Sequence, residues 1–382
     1  MKIGLVCPYN MARGGAVREI VLEFQRGLKR RGHDVRIITP TPRDDGDHYD
    51  KTDIIFLGNG ADFRSPLHTT AQFSASIDTR EIDAMLKAEQ FDILHFHEPW
   101  VPVLSRQIAS RSKAVNIATF HAKLPETMMS RTVARVVTPY TKSELKYLHA
   151  LTAVSDAAAE YVSTLTDEPV TIIPNGINLK HFQTHKYDDA PENPVKTILY
   201  IGRLERRKGV KYLLKAFAEL QQNVDARLLL AGDGPDRRKL EVLVEEMALA
   251  NVEFLGFVSD EKKMELLHTA DLFCSPAIYG ESFGIVLLEA MACGLPLVAG
   301  DNSGYKAVMQ EMGALSLVDP RATAEFARRL QLLLTENSLR KDWQAWAKSY
   351  IKQFDYPAII QRYEDLYTYM LAHHRHHIKA LE

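Results

Sequence analysis

The feature that most constrains this chain is an alternation of short, continuous apolar runs with longer amphipathic segments. KIGLVCPY, HDVRIITP, DIIFLG, FDILHFH, AVNIATFH and ALTAVS read as strands, and after a break so do TILYIGR, RLLLAG, VEFLGFV, DLFCSP and LPLVAG. Between them, AVREIVLEFQRGLKRRG, GVKYLLKAFAELQQN and PDRRKLEVLVEEMALA repeat apolar residues at helical spacing. Strands that are apolar throughout need cover on both faces, which parallel sheets flanked by helices provide. The chain is therefore α/β, twice over. The seam falls at IIPNGINLKHF (172–182) and the polar, proline-containing THKYDDAPENPVK (184–196). We expect a first domain over 1–175 and a second over 176–357. The final helical segment, PAIIQRYEDLYTYMLAHH, follows the end of the alternation, so 358–382 is expected to pack back on the first domain.

Length agrees, because 382 residues exceed what one ordinary core organises. An apolar content of 46% and a charged content of 25% are those of a globular protein. The formal net charge of −2 gives no reason to expect nucleic acid as a partner. Charge is uneven, however: 101–150 holds eight Lys/Arg against two Glu. The three cysteines, Cys7, Cys274 and Cys293, are widely spaced in apolar surroundings, as buried thiols of a reducing cytosol would be. MKIGLVCPYN runs directly into a strand without a leader's apolar core, and no run reaches the ~18 apolar residues of a spanning helix. The expected location is cytoplasmic, with peripheral contact at the inner membrane face as the furthest association.

Several motifs carry chemistry. In CPYNMARGGAVREIV a strand ends, Gly14 and Gly15 follow, and a helix begins, so backbone N–H groups could approach an anion at the positive helix end. A tight turn explains the same pair, and the spacing is not a dinucleotide fingerprint. GRLERRKG (202–209) places Arg203, Arg206, Arg207 and Lys208 at the carboxyl end of a parallel strand, where open α/β sheets bind ligands. Arginine forks and a mobile lysine suit phosphate oxygens, while a solvated basic turn is the plainer alternative. His95 and His97 share a strand face, but with no third ligand at suitable spacing they make a poor zinc site. His121 ends another strand. D-G-D at 45–47 lies in a hydrophilic run and reads as a loop.

YGESFGIVLLEAMACGLP (279–296) holds two acids, Glu281 and Glu289, around seven uncharged residues. Eight residues of helix would separate them by about 80°, so they are not a matched pair on one face. If 283–293 is helical, Glu281 lies on the preceding loop. Glu289 needs a hydroxyl or a cation as partner to stay charged among apolar neighbours.

Taken in order, Gly14-Gly15, RGHDVRIIT, FHEP, TFH, AVS, IPNGIN, GRLERRKG, GDGP, FLGFV and GESFGIVLLEAMACGLP resemble the family 4 retaining glycosyltransferases. These have the GT-B architecture: two Rossmann-like, doubly wound parallel-sheet domains facing across a cleft. The likeness runs from residue 3 to about 320. KIGLVCPY, FDILHFHEPWVPVLS, ATFH and GESFGIVLLEAMA bring it nearest to the phosphatidylinositol mannosyltransferases. The resemblance implies that Glu281 contacts the donor hexose, that Glu289 holds the ribose, and that Arg203 and Lys208 hold the diphosphate. Gly14, Gly15 and the N–H groups around Ser282, Phe283, Gly284 and Ile285 would add to the anion site. Val258, Asp260 and Lys263 match the base pocket and lean the donor toward GDP-mannose. His121 matches a histidine near the transferred sugar. Tyr9, with Arg18 and Arg207, would serve the acceptor, a lipid or polyol hydroxyl. No metal or other cofactor is implied.

Two departures qualify the likeness. The segment between Tyr9 and the glycine pair is one residue shorter, and the family's basic membrane helix falls on IDTREIDAMLKAEQ (77–90), here net acidic. Within 123–146, Met128, Met129, Val133, Val136 and Val137 instead interleave with Arg131 and Arg135 as interfacial segments do. An ordinary basic surface helix reads equally well there. The expected activity is transfer of a hexose, in first place mannose, to an inositol lipid or related polyol. A UDP-sugar enzyme acting on an inositol phosphate or malate is the nearest rival. A glycoside hydrolase would use two carboxyls, but it has no need of the cation cluster; a non-catalytic nucleotide-sugar sensor would not require Glu281 and His121.

Overall fold

The computed structural model describes residues 1–11, 15–42, 51–64, 70–76, 78–101, 103–123, 131–183 and 195–379, of which 59–64, 70–76, 131–137 and 374–379 are described by their backbone alone. Gly14, the D-G-D run, Met128 and Met129 lie outside the described residues, as do the side chains of Arg131, Val133, Arg135, Val136 and Val137. The chain divides into two compact units, Met1–Gly176 with Tyr356–Glu382, and Ile177–Asp355.

Unit 1 is built on eight strands: β1 (Lys2–Val6), β2 (Asp34–Thr41), β3 (Ile54–Arg64), β4 (Thr70–Ser76), β5 (Ile93–His97), β6 (Val115–Phe120), β7 (Ala150–Ala153) and β8 (Val170–Ile172). Their order is β4-β3-β2-β1-β5-β6-β7-β8. Every pairing is parallel except β3 with β4. Unit 2 has β9 (Lys196–Ile201), β10 (Ala226–Ala231), β11 (Val252–Gly256), β12 (Leu272–Ser275), β13 (Leu297–Gly300) and β14 (Leu317–Val318), all parallel, in the order β11-β10-β9-β12-β13-β14. The doubly wound α/β class expected from the alternation is therefore present twice.

Three strands escape the apolar pattern. β4 is polar and pairs antiparallel at the sheet edge, β8 spans three residues and β14 two. None has the apolar run of a central strand.

The helix Ala16–Arg30 shows how the sheets are covered. Ile20, Val21, Phe24 and Leu28 form its buried stripe, and Lys29 and Arg30 lie in its last turn, where the dipole favours cations. A Cβ at Gly27 would stand 1.9 Å from Ile360 Cδ1, which is how closely the C-terminal helix Tyr356–Lys379 seats on it. Glu364 of that helix accepts from Arg31 at 2.6 Å and bonds His33 at 2.7 Å. Tyr363 and Tyr367 enter the core of unit 1. No helix among the described residues is long and apolar enough to cross a membrane.

One core residue conflicts with its surroundings. Glu144, on the helix Arg131–Leu145, is 1% exposed, and among the described residues neither carboxylate oxygen has a hydrogen-bond partner. Burial pushes its pKa up to about 9, against the opposing charge of Arg106. The folded state then keeps a proton that the unfolded chain releases above its ordinary value of 4.5. Stability therefore falls as pH rises from that value towards 9. Glu144→Gln is expected to raise the thermal midpoint at pH 8, by about 2–4 °C for each kcal/mol recovered. The gain should vanish near pH 5; an equal shift at both pH values would rule out titration of Glu144 as its source.

Candidate active site

In an open parallel sheet, ligands bind beyond the carboxyl ends of strands, at the point where successive connections leave in opposite directions. Unit 2 has that point between β9 and β12. Beyond β9 the chain turns through a single 3-10 turn, Arg206–Lys208, into the helix Val210–Leu220. Gly209 joins them at φ 69°, and a Cβ there would lie 2.1 Å from the Pro276 carbonyl oxygen. Only glycine lets this turn close on the segment after β12. Ile278 N–H then donates to the Arg207 carbonyl at 2.8 Å, joining the two segments.

That junction presents Glu281 to the cations. Its Oε1 accepts from Arg207 Nη1 at 2.6 Å and pairs with Lys208 Nζ at 2.8 Å. Side-chain exposure is 12% for Glu281 and 14% for Lys208, so the pair sits largely out of bulk water. Arg207 also reaches Glu205 at 2.7 Å and the Gly280 carbonyl at 3.3 Å. Burial opposes the charge of Arg207, but the Glu281 and Glu205 carboxylates outweigh it and hold the guanidinium above its ordinary value. Arg203 is more exposed, with Nε 3.9 Å from Glu205. The structure thus gathers Arg207 and Lys208 on Glu281. Arg207, expected at the acceptor, makes the shorter of the two contacts with Glu281. Glu205 is the organising acid that the motif does not single out: the count of cations in GRLERRKG hides the one carboxylate among them.

Glu281 is followed by Ser282 and Phe283, and the helix proper is Ile285–Ala292, shorter at its start than 283–293. Gly284 caps it at φ 104°. Phe283 is 2% exposed and meets Phe354 edge-on at 6.1 Å, so its ring is core and only its backbone can serve a ligand. Glu289 finds a cation: Lys263 Nζ lies 2.9 Å from its Oε1. Lys263 projects from the helix Asp260–Thr269, whose first turn holds exposed Asp260 and whose cap Ser259 accepts from Lys262 N–H at 3.2 Å. Val258, half-buried, precedes the cap.

Unit 1 has its own divergence point, between β1 and β5. Tyr9 follows β1, its carbonyl accepting from Thr39 Oγ1 at 2.8 Å. Burial raises its phenol well above the ordinary range, helped by the nearby charge of Glu98. Gly15 caps the following helix in an extended conformation, φ 173°, with open space within 4 Å of where a Cβ would stand. Arg18 donates to Glu19 at 2.7 Å, and its charge reaches Cys7.

The residue that organises this end of the sheet is Glu98, in FHEP, to which the sequence pattern assigns no role. It is 0% exposed and adopts φ 53°. Its Oε1 accepts the backbone N–H of His121 at 2.6 Å and of Ala122 at 2.5 Å, and Oε2 accepts the Trp100 indole N–H. Burial pushes Glu98 up to about 7, with those three donors opposing. His121 is 7% exposed, its pKa lowered to about 4 by burial while Asn175 favours the proton. The signal in the sequence is an acid directly after an apolar strand. His95 and His97 do share a face, with ring centroids 4.3 Å apart, and bond Tyr367, Thr119 and His121. Among the described residues no group of three His, Cys, Asp or Glu could hold a metal ion.

Comparison with known proteins matches residues 13–181 to the model for Glycosyltransferase Family 4 and residues 183–350 to that for glycosyl transferases group 1. A phosphatidyl-myo-inositol mannosyltransferase from Mycobacterium leprae is 30% identical over 375 residues, covering 96% of each chain. Among solved structures, a sucrose-phosphate synthase from Thermosynechococcus elongatus superposes with a TM-score of 0.76 at 22% identity, covering 97% of this chain and 99% of that one. Anabaena HepE in complex with UDP and glucose gives 0.74 at 18%, covering 96% and 99%.

Removing the Glu98 carboxylate leaves the buried His121 N–H, the part-buried Ala122 N–H and the Trp100 indole N–H without their acceptor, and a buried donor orphaned in this way costs about 1–3 kcal/mol. Glu98→Ala is expected to lower stability by about 3 kcal/mol in urea unfolding, with the slope unchanged. Amide exchange at His121 and Ala122 should accelerate. A loss below about 0.5 kcal/mol, the scale of a neutral surface change, would show that these amides do not depend on Glu98.

Proposed function

The chain belongs to the family 4 glycosyltransferases, and from that premise we propose that it transfers mannose from GDP-mannose to an inositol hydroxyl of a phosphatidylinositol-type lipid, with retention at the anomeric carbon. The observation that carries this reading is the Glu281–Arg207–Lys208 cluster at the divergence point of unit 2. The relative named for mannosyl transfer to phosphatidyl-myo-inositol, matched along 96% of both chains, supports the choice of mannose as the sugar and of the acceptor.

The proposed chemistry follows from charge. A nucleoside diphosphate leaves as an anion, and preplaced cations act most strongly where that charge develops. Arg203, Arg207 and Lys208 stand against two carboxylates, Glu205 and Glu281, so the cluster keeps a positive excess for the diphosphate. Both cations make their shortest contact with Oε1 of Glu281, and Oε2 is assigned to the sugar hydroxyls. Lys263 likewise bonds Oε1 of Glu289, and Oε2 is assigned to the ribose diol. Val258, Asp260 and Lys263 are assigned to the base, and His121 to the sugar. In the transfer, the acceptor oxygen bonds to the anomeric carbon as the bond from that carbon to the phosphate oxygen breaks. The acceptor's proton passes to the departing phosphate oxygen. Ser282, Gly284, Ile285, Gly14 and Gly15 are assigned as N–H donors, and Tyr9 and Arg18 serve the acceptor. The segment 123–146 is the candidate for contact with an anionic membrane carrying the lipid.

Thermal shift against GDP, UDP and ADP tests the donor. Binding to the folded state alone stabilises it by about 2.7 kcal/mol at a hundredfold excess over Kd. GDP is expected to give the largest shift; stabilisation by UDP alone would replace the mannose assignment with a UDP-sugar reading. In a purified assay with phosphatidylinositol vesicles, Glu281→Ala is expected to lower kcat by about 10²–10³, the loss typical of one preorganised electrostatic group. Undiminished transfer would remove Glu281 from the site.

A further inference from the structure

The buried pair His97 and His121 lies at the carboxyl ends of β5 and β6, and His121 is the histidine assigned above to the sugar. His97 Nδ1 and His121 Nε2 are 2.9 Å apart, with ring planes 19° from parallel, so the two nitrogens share one hydrogen in the plane of both rings. Burial holds both rings neutral, well below the ordinary value for His97. One ring donates and the other accepts, and the direction fixes both tautomers.

The remaining nitrogens decide it. Among the described residues, His97 Nε2 and His121 Nδ1 are both buried without a partner of normal geometry. If His121 were the donor, His97 would carry its proton on Nε2. There it is sealed at 0% exposure, between His95 at 4.3 Å and the edge-on ring of Phe24 at 5.8 Å. A buried N–H with no acceptor is the rarer and costlier kind of orphan. If His97 donates instead, only a lone pair is sealed there. The unpaired N–H then falls on His121 Nδ1, in a residue that keeps 7% exposure and has Asn175 beside it favouring a proton.

We propose that His97 is a positioning residue that locks His121 in the Nδ1–H tautomer, so that His121 meets the substrate as a hydrogen-bond donor and not as a base. The role rests on the reading that His121 contacts the sugar or the acceptor. His97 is itself held by its ring neighbour His95, which bonds Thr119 Oγ1 at 2.6 Å and the Tyr367 hydroxyl at 2.7 Å. The C-terminal helix thereby supports the orientation of a histidine far from it in sequence.

Nitrogen-15 NMR of the full-length, histidine-labelled protein reads the tautomer without substrate. One-bond N–H coupling is expected at His121 Nδ1 and at His97 Nδ1; coupling at His121 Nε2 overturns the proposal. Two variants of nearly equal shape then separate positioning from packing. In His97→Asn the side-chain amide places an N–H where Nδ1 was, and it is expected to keep kcat within about threefold. In His97→Asp an acceptor stands there and draws the proton to His121 Nε2. We expect kcat to fall about 100-fold, the scale of a misaligned catalytic contact, with KM for the donor unchanged within about threefold. Equal losses in both variants, at matched thermal midpoints, would reduce His97 to a packing residue. A GDP thermal shift on the same samples reports separately on the donor reading, since it does not involve the histidine pair.

Discussion

The contact of Glu281 with Arg207 and Lys208 is the interaction on which the donor-side geometry depends. It joins residues that follow two different strands, and it does so where those strands' connections part. Gly209 makes the junction possible by letting its turn approach the Pro276 carbonyl to a distance no Cβ permits. An acid with 12% side-chain exposure would be costly alone, and breaking such a pair from one side leaves the other charge uncompensated. Glu205 extends the arrangement to Arg207 and Arg203, so each cation is oriented before any ligand arrives.

Unit 1 reaches a comparable result by different means. There the organising group is a carboxylate bound to backbone: Glu98 fixes the main chain of His121 and Ala122, while His97 fixes the ring. Tyr363 and Tyr367 extend from the C-terminal helix into the same polar layer, where Thr119 and Thr152 bond each other at 2.6 Å. A buried polar layer of this kind is stable only when nearly every member is paired. The C-terminal helix is therefore part of the chemistry of unit 1 as well as its cover.

The parallel sheets were legible in the sequence because central strands of such sheets are apolar on both faces and stand out as continuous runs. β4, β8 and β14 were not, being polar or too short to carry a period. The residues ask for a hydroxyl or a cation beside Glu289, and the resemblance assigns that place to the ribose; the structure puts a cation there, Lys263, which the resemblance assigns to the base pocket. Burial in an apolar stretch demanded a partner of that type whatever the fold. The position of Arg207 was less legible, because a run of four cations does not say which one turns inward. That depends on the 3-10 turn and on Glu205, whose significance appears only once the turn is closed. Glu98 carried the same signal as Glu289, an acid beside an apolar run, but the donors it satisfies are chiefly backbone N–H groups, which no side-chain pattern marks.

The two acids of unit 2 share one further property. Among the described residues, the shortest contact of each cation with its acid is to Oε1. A carboxylate offers about four acceptor positions, so a group anchored at one oxygen keeps the other available in a fixed direction. Without the cations, each acid would swing towards water to recover its hydration. With them, the acceptor is oriented in advance, and a ligand's hydroxyls need not expel the cation to bind. The cations are then available for a second task, meeting the charge of a diphosphate. Anchored acceptors for hydroxyls beside cations for phosphate are what a nucleotide sugar requires along its length, and neither feature alone distinguishes it from a simpler anion or polyol site.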